Sequence, residues 1–267
     1  MILNLTSSFL TFIQLITFSA YLHVKMHLIL LFKEYFNMKY TTLLLDFDDT
    51  LVDFDDAEEQ AFFNMAQNYQ SSPTYDDFTL FKKINQAHWE AFQNNQLSKE
   101  DVLSQRFIKY FKHHNITVNG HEADEYFRDE LAKAPVKYFN DTLATLAQLR
   151  QHCSLYIVTN GVAITQQRRI AQTPFDDLFE GIFISEHTGY QKPMSGFFDY
   201  VFNHIKPTAR STAMIIGDSL TSDILGGHNA NIATCWFNYR NKTNSTAIKP
   251  DFEIRTLAEL LPIIQST

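Results

Sequence analysis

From Met38 to the C-terminus, short unbroken apolar runs alternate with amphipathic helical stretches, and that rhythm leaves few folds open. The runs are Thr42–Phe47, Leu155–Thr159, Gly181–Ser185, Ala213–Gly217 and Ala233–Phe237. Runs this short, with no polar alternation, are expected of strands buried on both faces. The stretches between them carry a helical period. Leu143, Leu146 and Leu149 follow a capping Asp141, and Phe197, Phe198, Val201, Phe202 and Ile205 fall within Met194–Ile205. A terminal helix is expected over Leu257–Ile264, interrupted by Pro262. Strand–helix alternation predicts an α/β fold, a Rossmann-like parallel sheet with helices on both faces.

The rhythm breaks once. Residues 54–135 show no clear strand but place apolar residues at helical spacing: Phe62, Met65, Ala66 and Tyr69, then Val102, Phe107, Tyr110 and Phe111. Turn signals stand at Ser71-Ser72-Pro73, Asn94-Asn95 and Asn119-Gly120. An all-helical domain inserted at 54–135 is expected, with 38–53 and 136–267 forming the core.

Residues 1–37 differ in kind: 23 of them are hydrophobic, and only Lys25, Lys33 and Glu34 are charged. A signal peptide is not indicated, because the start, Met1-Ile2-Leu3-Asn4, has no early Lys or Arg. The stretch from Phe9 to Phe32 is long enough to span a bilayer, but Gln14, His23, Lys25 and His27 interrupt it. The favoured reading is a start codon assigned too far upstream, with Met38 as the true first residue. Lys33-Glu34 can be encoded as a purine-rich ribosome-binding sequence a few codons before Met38. A membrane anchor is the alternative.

Two cysteines, Cys153 and Cys235, cannot build a disulfide framework, so a cytoplasmic protein with inert buried thiols is expected. In that setting the Asn-x-Ser/Thr triplets carry no meaning. The net charge of −8 argues against a nucleic-acid-coating surface. It leaves a small anionic substrate open, because a bound cation reverses the local charge.

Chemistry concentrates at four strand ends. The first run ends Asp46-Phe47-Asp48-Asp49-Thr50, two carboxylates two residues apart where ligands of open parallel sheets bind. Alone, this reads equally well as a polar loop. The second ends Thr159-Asn160-Gly161, a hydroxyl, an amide and a relaxed backbone suited to phosphate, although Asn-Gly is also a common turn. Lys192-Pro193 follows the third, a lysine that reaches a phosphate, balances carboxylates or is simply solvated. The fourth ends Gly217-Asp218, with Asp223 five residues on, a donor set suited to a hard cation.

Together and in this order, Asp46-x-Asp48-x-Thr50, Thr159, Lys192 and Gly217-Asp218 with Asp223 resemble the haloacid dehalogenase (HAD) superfamily. The wider wording, such as Ser185-Glu186-His187-Thr188-Gly189-Tyr190-Gln191-Lys192-Pro193, is similar to its YjjG-type pyrimidine 5′-nucleotidase branch. The resemblance implies a HAD-like core with the helical insert as its cap. It further implies Asp46 as nucleophile of an aspartyl-phosphate mechanism and Asp48 as general acid and base. Mg²⁺ would sit on Asp46, the Asp48 backbone carbonyl and Asp218, with Asp223 orienting the metal shell. Thr159 and the Asn160 and Gly161 amides would hold phosphate oxygens, and Lys192 would neutralise the transferring phosphoryl group. A dehalogenase has no alkoxide to protonate, so Asp48 favours phosphoester chemistry.

A nucleoside 5′-monophosphate is the expected substrate, with no nucleic-acid partner and no membrane unless residues 1–37 are expressed. The alternatives are a phosphatase for a sugar phosphate or phosphoglycolate, a phosphomutase, and a non-enzymatic phosphate-binding scaffold. One cap aromatic among Phe54, Phe62, Phe63, Trp89, Phe92, Tyr110 and Tyr126 is expected to stack on the base, the rest to form cap core. Asp49, Asp53 and Glu186 read equally as outer site carboxylates or solvated loop groups. His113-His114 is expected as a solvated helix end.

Overall fold

The structure is a computed structural model that describes residues 25–26, 38–69 and 72–265. The apolar stretch before the expected start at Met38 lies, but for Lys25 and Met26, outside the described residues. Among the described residues, no helix is long and apolar enough to cross a membrane.

The strands are β1 (Thr42–Leu45), β2 (Val52–Asp53), β3 (Lys137–Tyr138), β4 (Ser154–Thr159), β5 (Gly181–Ile184), β6 (Ala213–Gly217), β7 (Ala233–Phe237) and β8 (Phe252–Ile254). Six form one sheet in the order β5-β4-β1-β6-β7-β8, with every pairing parallel. The helices are α1 (Asp55–Ala66), α2 (Tyr75–Gln93), α3 (Lys99–His113), α4 (Gly120–Lys133), α5 (Thr142–Leu149), α6 (Ala163–Ile170), α7 (Ser185–Thr188), α8 (Ser195–His204), α9 (Leu225–Asn229) and α10 (Leu260–Gln265). Leu44, Tyr156, Val158 and Ile215 pack on Phe197, Phe198 and Val201 of α8. Their strand neighbours Leu43, Leu45, Ile157 and Ile216 are equally buried. Successive side chains point to opposite faces, so both faces of the sheet are covered.

The inserted helices α1–α4 build a core of their own around Phe62, Phe81, Phe107, Tyr110, Phe111 and Phe127. Phe62 stacks on Phe81 at 5.1 Å and meets Tyr110 edge-on at 5.3 Å. Thr74 with Asp77 and Ser98 with Asp101 form capping boxes that start α2 and α3, and the Asn119 side chain caps α4. β2 and β3 pair antiparallel immediately before and after the insert, Val52 with Tyr138 and Asp53 with Lys137.

This ribbon and β8 are absent from the sequence reading, since two- and three-residue strands carry no measurable period. The C-terminal stretch is a 3₁₀ turn over Leu257–Glu259 followed by α10, not one helix over Leu257–Ile264. His114 is not a solvated helix end: its ring packs 5.1 Å from Tyr110 and its Nε2 lies 3.1 Å from Asp77. Cys153 and Cys235 are free and buried, and burial pushes the Cys153 thiol up to about 12.

Phe62 has no solvent exposure and contacts four aromatic neighbours. Phe62→Ala should therefore cost about 3–5 kcal/mol in urea unfolding. A loss below about 1 kcal/mol would show that the cap does not pack around this ring.

Candidate active site

From β1 the chain builds outward through β4 and β5 on one side and β6, β7 and β8 on the other. The crevice beyond the carboxyl ends of β1, β4 and β6 is therefore the place where such sheets bind ligands. Asp46 leaves β1 there, with its N–H donating to Ile216 O at 2.9 Å.

Lys192 is the centre of the crevice. Its ammonium donates to Asp46 Oδ1 at 2.6 Å, Asp223 Oδ1 at 2.6 Å and Val158 O at 2.9 Å, which uses all three donors. The side chain is 1% exposed. Burial works against its charge, but Asp223 and Asp46 outweigh that and hold the ammonium above its ordinary range. Asn160 splints the lysine backbone from both sides. Its Nδ2 donates to Lys192 O at 2.8 Å, and its Oδ1 accepts from Lys192 N at 2.9 Å. The Asn160 side chain is thereby committed to the protein. Thr159 Oγ1 accepts from Gly161 N at 3.1 Å and from Gln166 Nε2 at 2.9 Å.

Asp223 also accepts from Ser219 N at 3.1 Å, which ties the single π turn Leu220–Ile224 to the end of β6. Gly217 permits this approach, since a Cβ there would lie 2.1 Å from Asp223 Oδ2. Asp218 has no side-chain hydrogen bond or ion pair among the described residues. Burial, then the carboxylates of Asp49, Asp46 and Asp223, hold it well above the usual carboxylate range. Burial pushes Asp46 up to about 8 against the pull of Lys192. Ligand oxygens of Asp46, Asp218 and Asp223 lie within 4.8 Å of one another. A hard oxygen donor set that is short of positive charge fits a divalent cation. Such an ion would restore the ionised carboxylates that burial opposes.

Asp48 stands apart from that cluster, held by donors from α6. Gln166 Nε2 donates to its Oδ2 at 2.8 Å, and Arg169 pairs with its Oδ1. Arg169 is 1% exposed, lies over the rings of Phe47 and Phe54, and leaves Nε and Nη2 without hydrogen-bond partners among the described residues. The sequence reading missed both α6 residues. The signal was the pattern of α6 itself, where Gln166 and Arg169, three apart, occupy the inward face.

It missed Lys99 and Gln93 at the rim, and left Asp49, Asp53 and Glu186 open between outer site carboxylates and solvated loop groups. Lys99 donates to Asn160 O at 3.0 Å and Gly161 O at 3.1 Å and pairs with Glu186 at 2.7 Å. Gln93 Oε1 accepts from Thr221 Oγ1 at 2.5 Å. Asp49, with a positive φ of 58°, accepts from Tyr239 Oη at 2.8 Å and from Phe54 N at 3.2 Å. Asp53 accepts from Asp55 N at 3.1 Å.

Core and cap together line a cleft of about 430 Å³, which includes all eight residues singled out at the strand ends. This is within the range of small-molecule sites. Of the seven cap aromatics, Phe54 and Trp89 line it. Phe62 and Tyr110 are cap core, Phe63 packs against that core, Phe92 is buried beside Trp89, and Tyr126 is exposed.

The model of the haloacid dehalogenase-like hydrolases matches residues 43–237. The magnesium-bound crystal structure of the HAD-hydrolase YfnB from Bacillus subtilis is 38% identical, with a TM-score of 0.80, covering 85% of this chain and 99% of that one. Pyrimidine 5′-nucleotidase PynA of Streptococcus pneumoniae is 32% identical over 84% of this chain and 94% of its own. For pyrimidine 5′-nucleotidase YjjG of Escherichia coli the figures are 30%, 84% and 97%. A matching family model over most of the chain, relatives aligned nearly end to end, and four strand-end motifs gathered around one buried lysine agree: the chain belongs to the haloacid dehalogenase-like hydrolase family.

Proposed function

We propose that the chain is a Mg²⁺-dependent phosphomonoesterase that hydrolyses nucleoside 5′-monophosphates, with pyrimidine bases preferred. The observation that carries the reaction class is the pair of carboxylates with separate holders. Asp46 is aimed by Lys192, and Asp48 is held by Gln166 and Arg169. Two acidic groups in different environments suit two roles. The substrate class is supported by PynA and YjjG, and by a cleft that Trp89 lines together with the strand-end residues. Residues 54–135 act as the cap that selects the leaving group, and 38–53 with 136–267 as the catalytic core. We place the enzyme in the cytoplasm.

In this mechanism an Asp46 carboxylate oxygen attacks phosphorus in line. The O–P bond forms as the bond to the nucleoside 5′ oxygen breaks, giving an aspartyl phosphate. Asp48 gives its proton to the departing 5′ oxygen, then takes one from the water that attacks the same phosphorus, which frees Asp46 and inorganic phosphate. Lys192 faces the charge on the transferring group, and Thr159 with the Asn160 and Gly161 amides takes its oxygens. Mg²⁺ would be held by Asp46, Asp218 and the Asp48 carbonyl, with Asp223 positioning the shell, and would offset the negative charge of carboxylates and phosphate.

Asp46→Asn should lower kcat at least about a thousandfold, roughly 4 kcal/mol, with the fold retained by circular dichroism. Substantial residual turnover would remove Asp46 as nucleophile. Chelation with EDTA should abolish phosphate release, and added Mg²⁺ should restore it. Arg169→Gln should reveal whether Asp48 acts as the acid. A nucleoside alkoxide needs a proton to leave, whereas p-nitrophenolate does not. Turnover of UMP should therefore fall about tenfold or more beyond that of p-nitrophenyl phosphate. Equal losses would assign Arg169 a purely structural part. A phosphate-release screen across nucleotides, sugar phosphates and phosphoglycolate decides the substrate.

A further inference from the structure

One polar chain runs through the apolar cap. Glu58 of α1, Asn85 of α2, Arg106 of α3 and Asp124 of α4 are each less than a tenth exposed. Asn85 Nδ2 donates to Glu58 Oε1 at 2.6 Å and Arg106 Nη1 donates to Asn85 Oδ1 at 2.6 Å, while Arg106 Nη2 pairs with Asp124. Burying such groups costs stability that an apolar set of similar size would not. Their placement gives the reason. Glu58, Asn85 and Arg106 line the cleft that holds Asp46.

The chain fixes the polarity of the Asn85 amide. An arginine only donates, so the atom facing Arg106 is the oxygen, and the nitrogen turns to Glu58. One hydrogen on Asn85 Nδ2 and one oxygen of Glu58 are then without a hydrogen-bond partner among the described residues. A donor beside an acceptor complements the polar edge of a nucleobase, where ring nitrogens and exocyclic groups present the reverse pair. Trp89 lies one helical turn beyond Asn85 on the same face. It is half-buried, lines the cleft, and has the Arg106 guanidinium 5.8 Å from its ring. A base stacked on that ring would turn its edge toward Asn85 and Glu58. A sugar phosphate offers neither a flat face nor an amide-like edge.

We propose that Asn85 and Glu58 are specificity-determining residues that hydrogen-bond the edge of the substrate's nucleobase while Trp89 stacks on its face. The proposal rests on the nucleotidase reading above. Glu58→Gln keeps the shape and the Asn85 contact but turns the free acceptor into a donor. With the full-length protein, kcat/KM is measured for UMP and ribose 5-phosphate. The wild type should prefer UMP. Glu58→Gln should lower the UMP to ribose 5-phosphate ratio about tenfold or more, through KM rather than kcat. It should also weaken uridine as an inhibitor of p-nitrophenyl phosphate hydrolysis by a similar factor. A ratio within about twofold of wild type, or a loss confined to kcat, would overturn the assignment while the nucleotidase reading stands. A wild type that hydrolyses both substrates equally would overturn that reading and the proposal with it. Asn85→Ser carries the same comparison should Glu58→Gln not fold.

Discussion

The ammonium of Lys192 is the interaction on which the rest of the site depends. A buried charge is tolerable only when paired and fully hydrogen-bonded. Here the three acceptors come from β4, from the loop after β1 and from the π turn after β6. Remove the lysine, and Asp46 and Asp223 face each other across a desolvated gap. Remove either carboxylate, and a fully buried cation loses a partner. The mutual requirement holds three strand ends in register before any substrate arrives, which is the preorganisation that electrostatic catalysis needs. Asn160 and Gly217 serve the same end, one by gripping the lysine backbone and the other by leaving room for Asp223.

The cap meets the core on those same loops. Lys99 reaches the carbonyls of Asn160 and Gly161, and Gln93 reaches Thr221. Both contacts are polar and partly exposed, and contacts of this class are worth little individually. The cap's own phenylalanine core keeps its shape independently of them. These latches, with Gln172 donating to Ala132 O, join a cap that packs around its own core to the loops that carry the site.

Legibility in the sequence followed how each feature is encoded. The sheet was readable because strands buried on both faces are written as unbroken apolar runs, and all five runs lie in the parallel sheet. Strand-end residues such as Asp46, Lys192 and Asp218 were readable because polar groups at the end of an apolar run stand out. Gln166 and Arg169 were not, because on a short helix rich in Gln and Arg an inward polar residue resembles a solvated one. Glu58, Asn85 and Arg106 were hidden for a stronger reason. They lie far apart in the chain and meet only when three helices pack. Trp89 stayed one of seven aromatics until packing left it and Phe54 on the cleft.

The acidity of the chain and the anionic nature of its proposed substrate are reconciled at the cleft wall. A chain with a net charge of −8 would be expected to repel a phosphate dianion. Yet eight acidic side chains on the wall are answered by six basic ones, including Lys82, Arg106 and Arg128 from the cap and Arg240 and Lys242 from the core. The formal deficit is two charges, which one divalent cation balances. The deficit sits on the core side, where Asp46, Asp218 and Asp223 cluster, while on the cap side Lys82, Arg106 and Arg128 match Asp55, Glu58 and Glu90 in number. With an ion in that cluster, the phosphate meets Lys192 and the metal at the strand ends. The far end of the substrate would meet a cap wall that is balanced in formal charge and whose remaining capacity is hydrogen bonding and a flat ring. On the proposed function, the field would recruit the phosphate, and shape with hydrogen bonding would select what is attached to it.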